Sequence, residues 1–90
     1  MKEIRIEKKN QEELKKMGVL SWPIWEKEVS TFDWHYEETE KCYILEGKVR
    51  VEPKSGKPVE FGPGDFVTFP KGMDCVWKVS KPVRKHYNFE

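Results

Sequence analysis

Three side chains that could bind a metal ion or move a proton lie close together in the stretch TFDWHYEETE (31–40). Asp33 and Glu40 carry carboxylates and His35 carries an imidazole, all of which are ligands that divalent transition ions accept. Later in the chain, Cys75 adds a thiol that suits zinc or iron. These four side chains are the candidate metal ligands, and Asp33 and Glu40 are also the candidate catalytic groups for proton transfer.

Residue spacing indicates which of these side chains share a face. In a β-strand, side chains two residues apart point the same way, so Asp33 and His35 share one face of their strand. If that face is the inner one, a closed sheet brings Asp33, His35, Glu40 and Cys75 into one lumen. The outward face then carries three aromatic residues, Phe32, Trp34 and Tyr36.

Each candidate also has a plainer interpretation. Asp33 could orient His35 or a substrate amine instead of binding metal. Cys75 could be a small buried apolar residue, since free cysteine is among the most buried residue types. Glu40 and His35 could belong to a hydrogen-bond network that holds an organic molecule without metal.

The elements that must position these residues are mostly β-strands. The segment NQEELKKMG predicts one short helix, with Asn10 as N-cap and Gly18 as terminator. Gly47 predicts a tight hairpin, as does KSGK around Gly56, and GPGD (62–65) predicts a type II turn. The predicted strands are Ile4–Lys8, Ile24–Val29, Phe32–Tyr36, Lys41–Glu46, Lys48–Pro53, Pro58–Phe61, Asp65–Phe69, Cys75–Val79 and Val83–Tyr87.

Length and composition limit the class of protein. Ninety residues predict one domain, with an N-terminal strand and helix to about residue 18 and a barrel over residues 19–90. The 17 basic and 16 acidic residues are interleaved, which predicts no nucleic-acid partner. No apolar run approaches the roughly 18 residues of a membrane helix, and the N-terminus lacks a signal-peptide core, so we predict a cytoplasmic protein without a membrane partner. The Lys- and Glu-rich composition is typical of thermophiles.

The spacing of the candidate ligands is similar to that of the cupins. Their first motif has His-x-His, then Glu after three or four residues, then Gly after six more; here Asp33-x-His35 is followed by Glu40 and, after KCYILE, by Gly47. Their second motif is matched by GDFVTFPKG from Gly64, with Cys75 at the position of its His. The resemblance implies an all-β cupin fold, a jelly-roll antiparallel β-barrel with one short N-terminal helix. Of the usual three-His, one-Glu ligand set, only His35 and Glu40 are retained.

A narrower resemblance covers nearly the whole chain beyond Gly18. The stretches WPIWEKEVSTFDWHY, CYILEGKV, GDFVTFPKG and VRKHYNF resemble the small cupin-3 proteins, including Thermotoga-like members. This branch includes the cupin domains of ureidoglycine aminohydrolases and of an ethanolamine-utilisation protein. The aminohydrolases begin their manganese set with an acid-x-His pair, which Asp33 and His35 resemble, but their next ligand falls on Thr39 and their last on Cys75.

Three functions stay open at this point. One is a cupin that binds a small polar metabolite in its lumen together with one divalent transition ion (Zn, Mn, Fe or Ni), with hydrolase-like chemistry. The second is a metal-free binding or sensing module, and the third is a structural partner that pairs through a strand edge. The predicted ligand-contacting side chains are Trp77, Tyr43, Phe69, Lys85 and Tyr87. An outward patch formed by Phe32, Trp34 and Tyr36 would favour a homodimer.

Overall fold

A computed structural model describes residues 3–90 of the chain. It contains one α-helix, one short 3-10 turn and seven strands, and every strand pairing is antiparallel. The elements are β1 (Arg5–Lys8), α1 (Gln11–Met17), the 3-10 turn (Val19–Ser21), β2 (Ile24–Lys27), β3 (Ser30–His35), β4 (Glu40–Pro53), β5 (Val59–Phe61), β6 (Asp65–Phe69) and β7 (Asp74–Phe89).

Two long strands, β4 and β7, run side by side through the whole molecule and carry two half-sheets. In the first half-sheet, the end of β4 and the start of β7 lie between β5 and β3. In the second, the start of β4 and the end of β7 lie between β6, which is followed by β1, and β2. This arrangement is consistent with a jelly roll. The hydrogen-bonded path through residues 3–90 runs from β1 to β2 and does not close into a ring, so the expected closed barrel is not formed by hydrogen bonds.

Gly47 does not form the predicted hairpin. The two strands predicted on either side of it are one continuous strand, β4, whose register against β7 shifts around this residue. Gly47 has φ 106°, and a Cβ at this position would lie 2.5 Å from the carbonyl oxygen of Pro82. The glycine is therefore needed where β4 bends and the backbone of β7 comes close. Likewise, the two strands predicted within residues 75–87 are one strand, β7.

The local signals at the helix and at the later turns are confirmed. The Asn10 side chain accepts a hydrogen bond from the Glu13 backbone N–H, and the Glu13 carboxylate accepts one from the Asn10 backbone N–H. Gly18 ends α1 in the left-handed conformation. In the GPGD turn, Asp65 N–H donates to the Gly62 carbonyl (3.1 Å) and Gly64 has φ 89°, as a type II turn requires.

The core has two parts. The larger lies between the half-sheets and contains Tyr36, Phe69, Trp77 and aliphatic residues of β4, β6 and β7. The smaller is covered by the N-terminal segment and contains Leu14, Val19 and Phe66. No helix within the described residues is long and apolar enough to cross a membrane.

Candidate functional site: a buried ion pair in an aromatic cavity

The orientation of β3 separates the predicted metal ligands. Trp34 lies directly opposite Cys75 on β7, and His35 lies opposite Asp74. Residues directly opposite in an antiparallel pair share a face, so His35 and Cys75 face opposite sides of the sheet. The prediction that Asp33, His35, Glu40 and Cys75 converge in one lumen is therefore wrong.

The physical reason lies in the aromatic residues of the same segment. Phe32, Trp34 and Tyr36 face inward, and Tyr36 is only 1% exposed, whereas Asp33 and His35 are exposed. Burying three aromatic side chains removes far more apolar surface from water than burying a carboxylate and an imidazole. On the outer face, His35 Nδ1 lies 2.8 Å from Asp74 Oδ1 in an exposed pair.

Both thiols are free and buried. Burial raises the pKa of Cys75 to about 11, with smaller contributions from Asp74, Asp33 and Glu40. Burial likewise raises the pKa of Cys42 to about 12. At neutral pH both groups are therefore protonated thiols, which are poor nucleophiles.

Glu40 has a different partner from the one predicted. Lys85 Nζ donates a hydrogen bond to Glu40 Oε2 over 2.7 Å, and both side chains are only 5% exposed. Glu40 is the first residue of β4, and Lys85 lies on β7, which pairs with it. Two opposite charges buried this deeply must stay paired, because an isolated charge in such a place is very costly.

Aromatic rings surround the ammonium group of Lys85. Its Nζ lies 4.8 Å from the ring centroid of Trp77, 5.0 Å from that of Trp25 and 5.9 Å from that of Phe69. These distances place the cation within reach of three electron-rich ring faces. The ammonium is thus held by one carboxylate and by π-systems.

A cavity of about 200 Å³ opens beside this ion pair. Glu40 and Lys85 supply its charged groups, and Trp34 and Phe89, both nearly half exposed, also line it. The other lining residues are aromatic: Trp25, Phe32, Tyr36, Trp77 and Tyr87. A small apolar cavity with a few polar groups is the usual form of a site for a small organic molecule.

Tyr36 adds a hydroxyl to this cavity. Its Oη accepts a hydrogen bond from Trp77 Nε1 (3.2 Å), and its ring stacks on Phe69 at 4.8 Å between centroids. Burial, followed by the nearby Glu40, raises the pKa of Tyr36 well above its ordinary value. The phenol therefore keeps its proton and remains a hydrogen-bond donor.

Some of the predicted ligand contacts lie at the cavity and others do not. Trp77, Lys85 and Tyr87 line it, while Phe69 lies behind them, fully buried. Tyr43 does not reach the cavity, because it packs against the smaller core under the N-terminal segment. Trp25 and Phe89 line the cavity but were not among the predicted ligand contacts, and Phe32, Trp34 and Tyr36 were predicted to face outward. The alternation of three aromatic residues in that last group was the signal for an inner face.

The residues at the motif positions do not fit a metal ion. Asp33 and His35 lie on the outer face, away from Cys75 and Glu40, and Glu40 is already paired with the Lys85 ammonium. In the part of the chain that the structure describes, no three His, Cys, Asp or Glu side chains are grouped to hold an ion. Of the two retained ligand residues, His35 and Glu40, only Glu40 faces inward. The Lys85 ammonium lies beside it.

A wider groove of about 850 Å³ lies elsewhere, between the β4–β5 loop and the β6–β7 turn. Its charged residues include Lys54, Lys57 and Lys71, all exposed to solvent. None of the predicted site residues lines it.

Comparison with known proteins assigns the family. The model of the EutQ-like cupin domain, Cupin_3, matches residues 14–87. The chain is a EutQ-like cupin. No functionally curated protein matches this cupin.

Solved structures agree with this assignment. A DUF861 family protein from Thermotoga maritima is 59% identical, with a TM-score of 0.95, and the match covers 98% of this cupin and 100% of that protein. The EutQ protein of Clostridium difficile is 26% identical, with a TM-score of 0.64 over 71% of this cupin and 50% of that chain. This cupin thus spans about half the length of EutQ. A DUF1255 protein from Acidithiobacillus ferrooxidans, 16% identical with a TM-score of 0.68 over 70% of this cupin and 60% of that chain, shows the fold alone.

Proposed function

We propose that this cupin binds a compact organic molecule in the aromatic cavity, and that it does so without a metal ion. The observation that carries the proposal is the hydrogen bond from Lys85 Nζ to Glu40 Oε2, buried beside a cavity lined by aromatic rings. Lys85 supplies the positive charge there, and Glu40, the inward-facing cupin ligand, neutralises it. Binding then requires no ion from solution.

The size of the cavity limits the ligand. About 200 Å³ is below the roughly 300–1,000 Å³ of pockets for drug-sized molecules. It exceeds an engineered apolar cavity of about 150 Å³ that binds benzene. A single ring with one small polar substituent matches this volume, and the ring faces around the cavity provide surfaces for stacking.

Hydrolase-like chemistry has less support. Its predicted proton carriers were Asp33 and Glu40, of which Asp33 lies on the outer face and Glu40 is engaged by Lys85. Binding or sensing without catalysis is therefore the function that the site supports best.

Indole N–H resonances offer a direct test, because three of the four tryptophans line the cavity and one does not. Chelator-treated protein is titrated with benzyl alcohol, a compact ring with one polar group. We expect the resonances of Trp25, Trp34 and Trp77 to shift and to saturate, while that of Trp22, in the smaller core, stays in place. Binding that appears only after zinc, manganese, iron or nickel is added would contradict the proposal.

A further inference from the structure

The polar groups of the cavity have unused hydrogen-bonding capacity. Among residues 3–90, Lys85 is the only side chain that hydrogen bonds to Glu40, although a carboxylate can accept about four such bonds. The Lys85 ammonium has three donors, and Glu40 is its only hydrogen-bond acceptor in the same range. Tyr36 accepts from Trp77, and its own O–H donates to no described residue. The cavity therefore offers one acceptor group and two donor groups to a ligand.

The charges of the cavity cancel. Lys85 and Glu40 form a neutral pair, and within residues 3–90 no other charged side chain lines the cavity. A bound anion would place a second negative charge near Glu40, and a bound cation would place a second positive charge near Lys85. Either arrangement leaves a net charge beside two side chains that are only 5% exposed, which is unfavourable. An uncharged ligand with both an acceptor and a donor avoids this cost.

The shape of the cavity favours a flat molecule. Phe32 and Trp77 stack nearly parallel, at 17° between planes, while Trp25 meets Trp77 edge to face. A planar ring can continue either arrangement on the open side of the cavity.

We infer that the ligand is an uncharged planar molecule with a carbonyl beside an N–H, as in an amide or a lactam. Its carbonyl oxygen accepts from Lys85 and from the Tyr36 hydroxyl, and its N–H donates to Glu40. This inference rests on the proposed function and adds the chemical class of the ligand.

Three probes of nearly equal shape test the charge class: benzamide, benzoate and benzamidinium. Each is titrated at pH 7 in the presence of chelator, with the indole resonances of Trp25 and Trp77 as readout. We expect benzamide to bind at least about tenfold more tightly than either ion, the size of effect that an unpaired polar group produces. Tighter binding of benzoate or of benzamidinium would overturn the inference while leaving the proposed function intact. If neither these probes nor benzyl alcohol binds, the proposed function itself fails.

Two conservative variants test the assigned contacts. Tyr36→Phe keeps the ring but removes the O–H donor, and we expect benzamide to bind about five- to tenfold more weakly, as the loss of one hydrogen bond implies. Tyr43→Phe, which removes a hydroxyl outside the cavity, is the matched control and should leave the affinity unchanged. Equal affinity for benzamide in wild type and Tyr36→Phe would contradict the hydrogen bond assigned to the Tyr36 hydroxyl.

Glu40→Gln provides the sharper test of charge balance. It keeps the length of the side chain but leaves the Lys85 ammonium without its counter-ion, so benzoate should now bind more tightly than benzamide. Glu60→Gln, an exposed change on β5, should keep the wild-type order. Circular dichroism shows whether Glu40→Gln is folded, and an unchanged order in the folded variant would contradict the inference. If this variant does not fold, the inference is tested instead by the affinity of Tyr36→Phe for benzamide.

Discussion

At the scale of single residues, the buried pair of Lys85 and Glu40 dominates the electrostatics of this cupin. Removing one partner of a buried ion pair leaves the other charge without compensation, whereas removing both is often close to neutral. The pair therefore contributes less to stability than either single substitution would suggest.

This asymmetry can be measured by a double-mutant cycle. Lys85→Met should lower the free energy of unfolding by roughly 3–5 kcal/mol, because the Glu40 carboxylate is left buried and unpaired. The double variant Glu40→Gln/Lys85→Met should be more stable than Lys85→Met alone. Denaturant unfolding gives the free energy of unfolding of wild type and of each variant. The control is Lys78→Met, an exposed change on the same strand, whose unfolding free energy should lie within about 0.5 kcal/mol of wild type. A double variant that is less stable than Lys85→Met would contradict the claim that Lys85→Met leaves a costly unpaired charge.

The two thiols predict a pH dependence of stability. Their pKa values are raised in the folded protein, to about 12 for Cys42 and about 11 for Cys75, from an ordinary value near 9. The unfolded chain therefore loses these protons first as the pH rises above 9, so the unfolded state is favoured progressively from pH 9 to about 12, the folded-state pKa of Cys42. Cys42→Ala/Cys75→Ala should show a smaller decrease of unfolding free energy over this range than wild type. An identical decrease in both proteins would contradict the assigned pKa shifts.

At the scale of elements, β3 shows how far the sequence determines the site. Alternation correctly groups Phe32, Trp34 and Tyr36 on one face and Asp33 and His35 on the other, but it does not say which face is buried. The buried face is the one that removes more apolar surface from water, and in β3 that is the aromatic face. The metal-site hypothesis rested on the opposite choice.

Local signals were more reliable than long-range ones. The helix α1 and the GPGD turn follow from residues within a few positions of each other, such as the capping pair of Asn10 and Glu13. Gly47 could not be interpreted in this way, because its role depends on Pro82, 35 positions away in the chain. The partnership of Glu40 with Lys85 was missed for the same reason.

The bend at Gly47 gives a prediction at this scale. In Gly47→Ala, the new Cβ would meet the Pro82 carbonyl and the residue would have to keep a positive φ, so we expect a loss of roughly 2–4 kcal/mol in unfolding free energy. Gly64→Ala is the matched control, since Gly64 also has positive φ but has open space where a Cβ would be. It should lose only about 1 kcal/mol. Thermal unfolding of both variants checks the difference, and equal losses would mean that the backbone contact is unimportant.

At the scale of the whole molecule, the expected homodimer has lost its original basis. It rested on an outward patch of Phe32, Trp34 and Tyr36, and these residues face the cavity. Of the described residues that line the cavity, Trp34, at 44% exposure, and Phe89, at 45%, present the large exposed apolar surface. The oligomeric state stays a prediction that sedimentation at tens of micromolar would test.

A dimer that covers the cavity mouth would respond to substitution there. Trp34→Ser should then dissociate it, because an interface centred on one large aromatic residue depends strongly on that residue. Leu20→Ser, which changes an exposed apolar residue on the N-terminal 3-10 turn, is the control. A dimer unaffected by Trp34→Ser would place the interface elsewhere.

The position of Lys85 has a consequence for how the site comes into being. A metal centre is completed only after an ion has been delivered, and it can take up the wrong ion when cellular concentrations change. The charge in this cavity is part of the polypeptide and is in place as soon as β4 and β7 have paired. On the proposed function, such a site needs no maturation step, cannot be mismetallated, is insensitive to chelators and exists in equal amount to the folded protein itself.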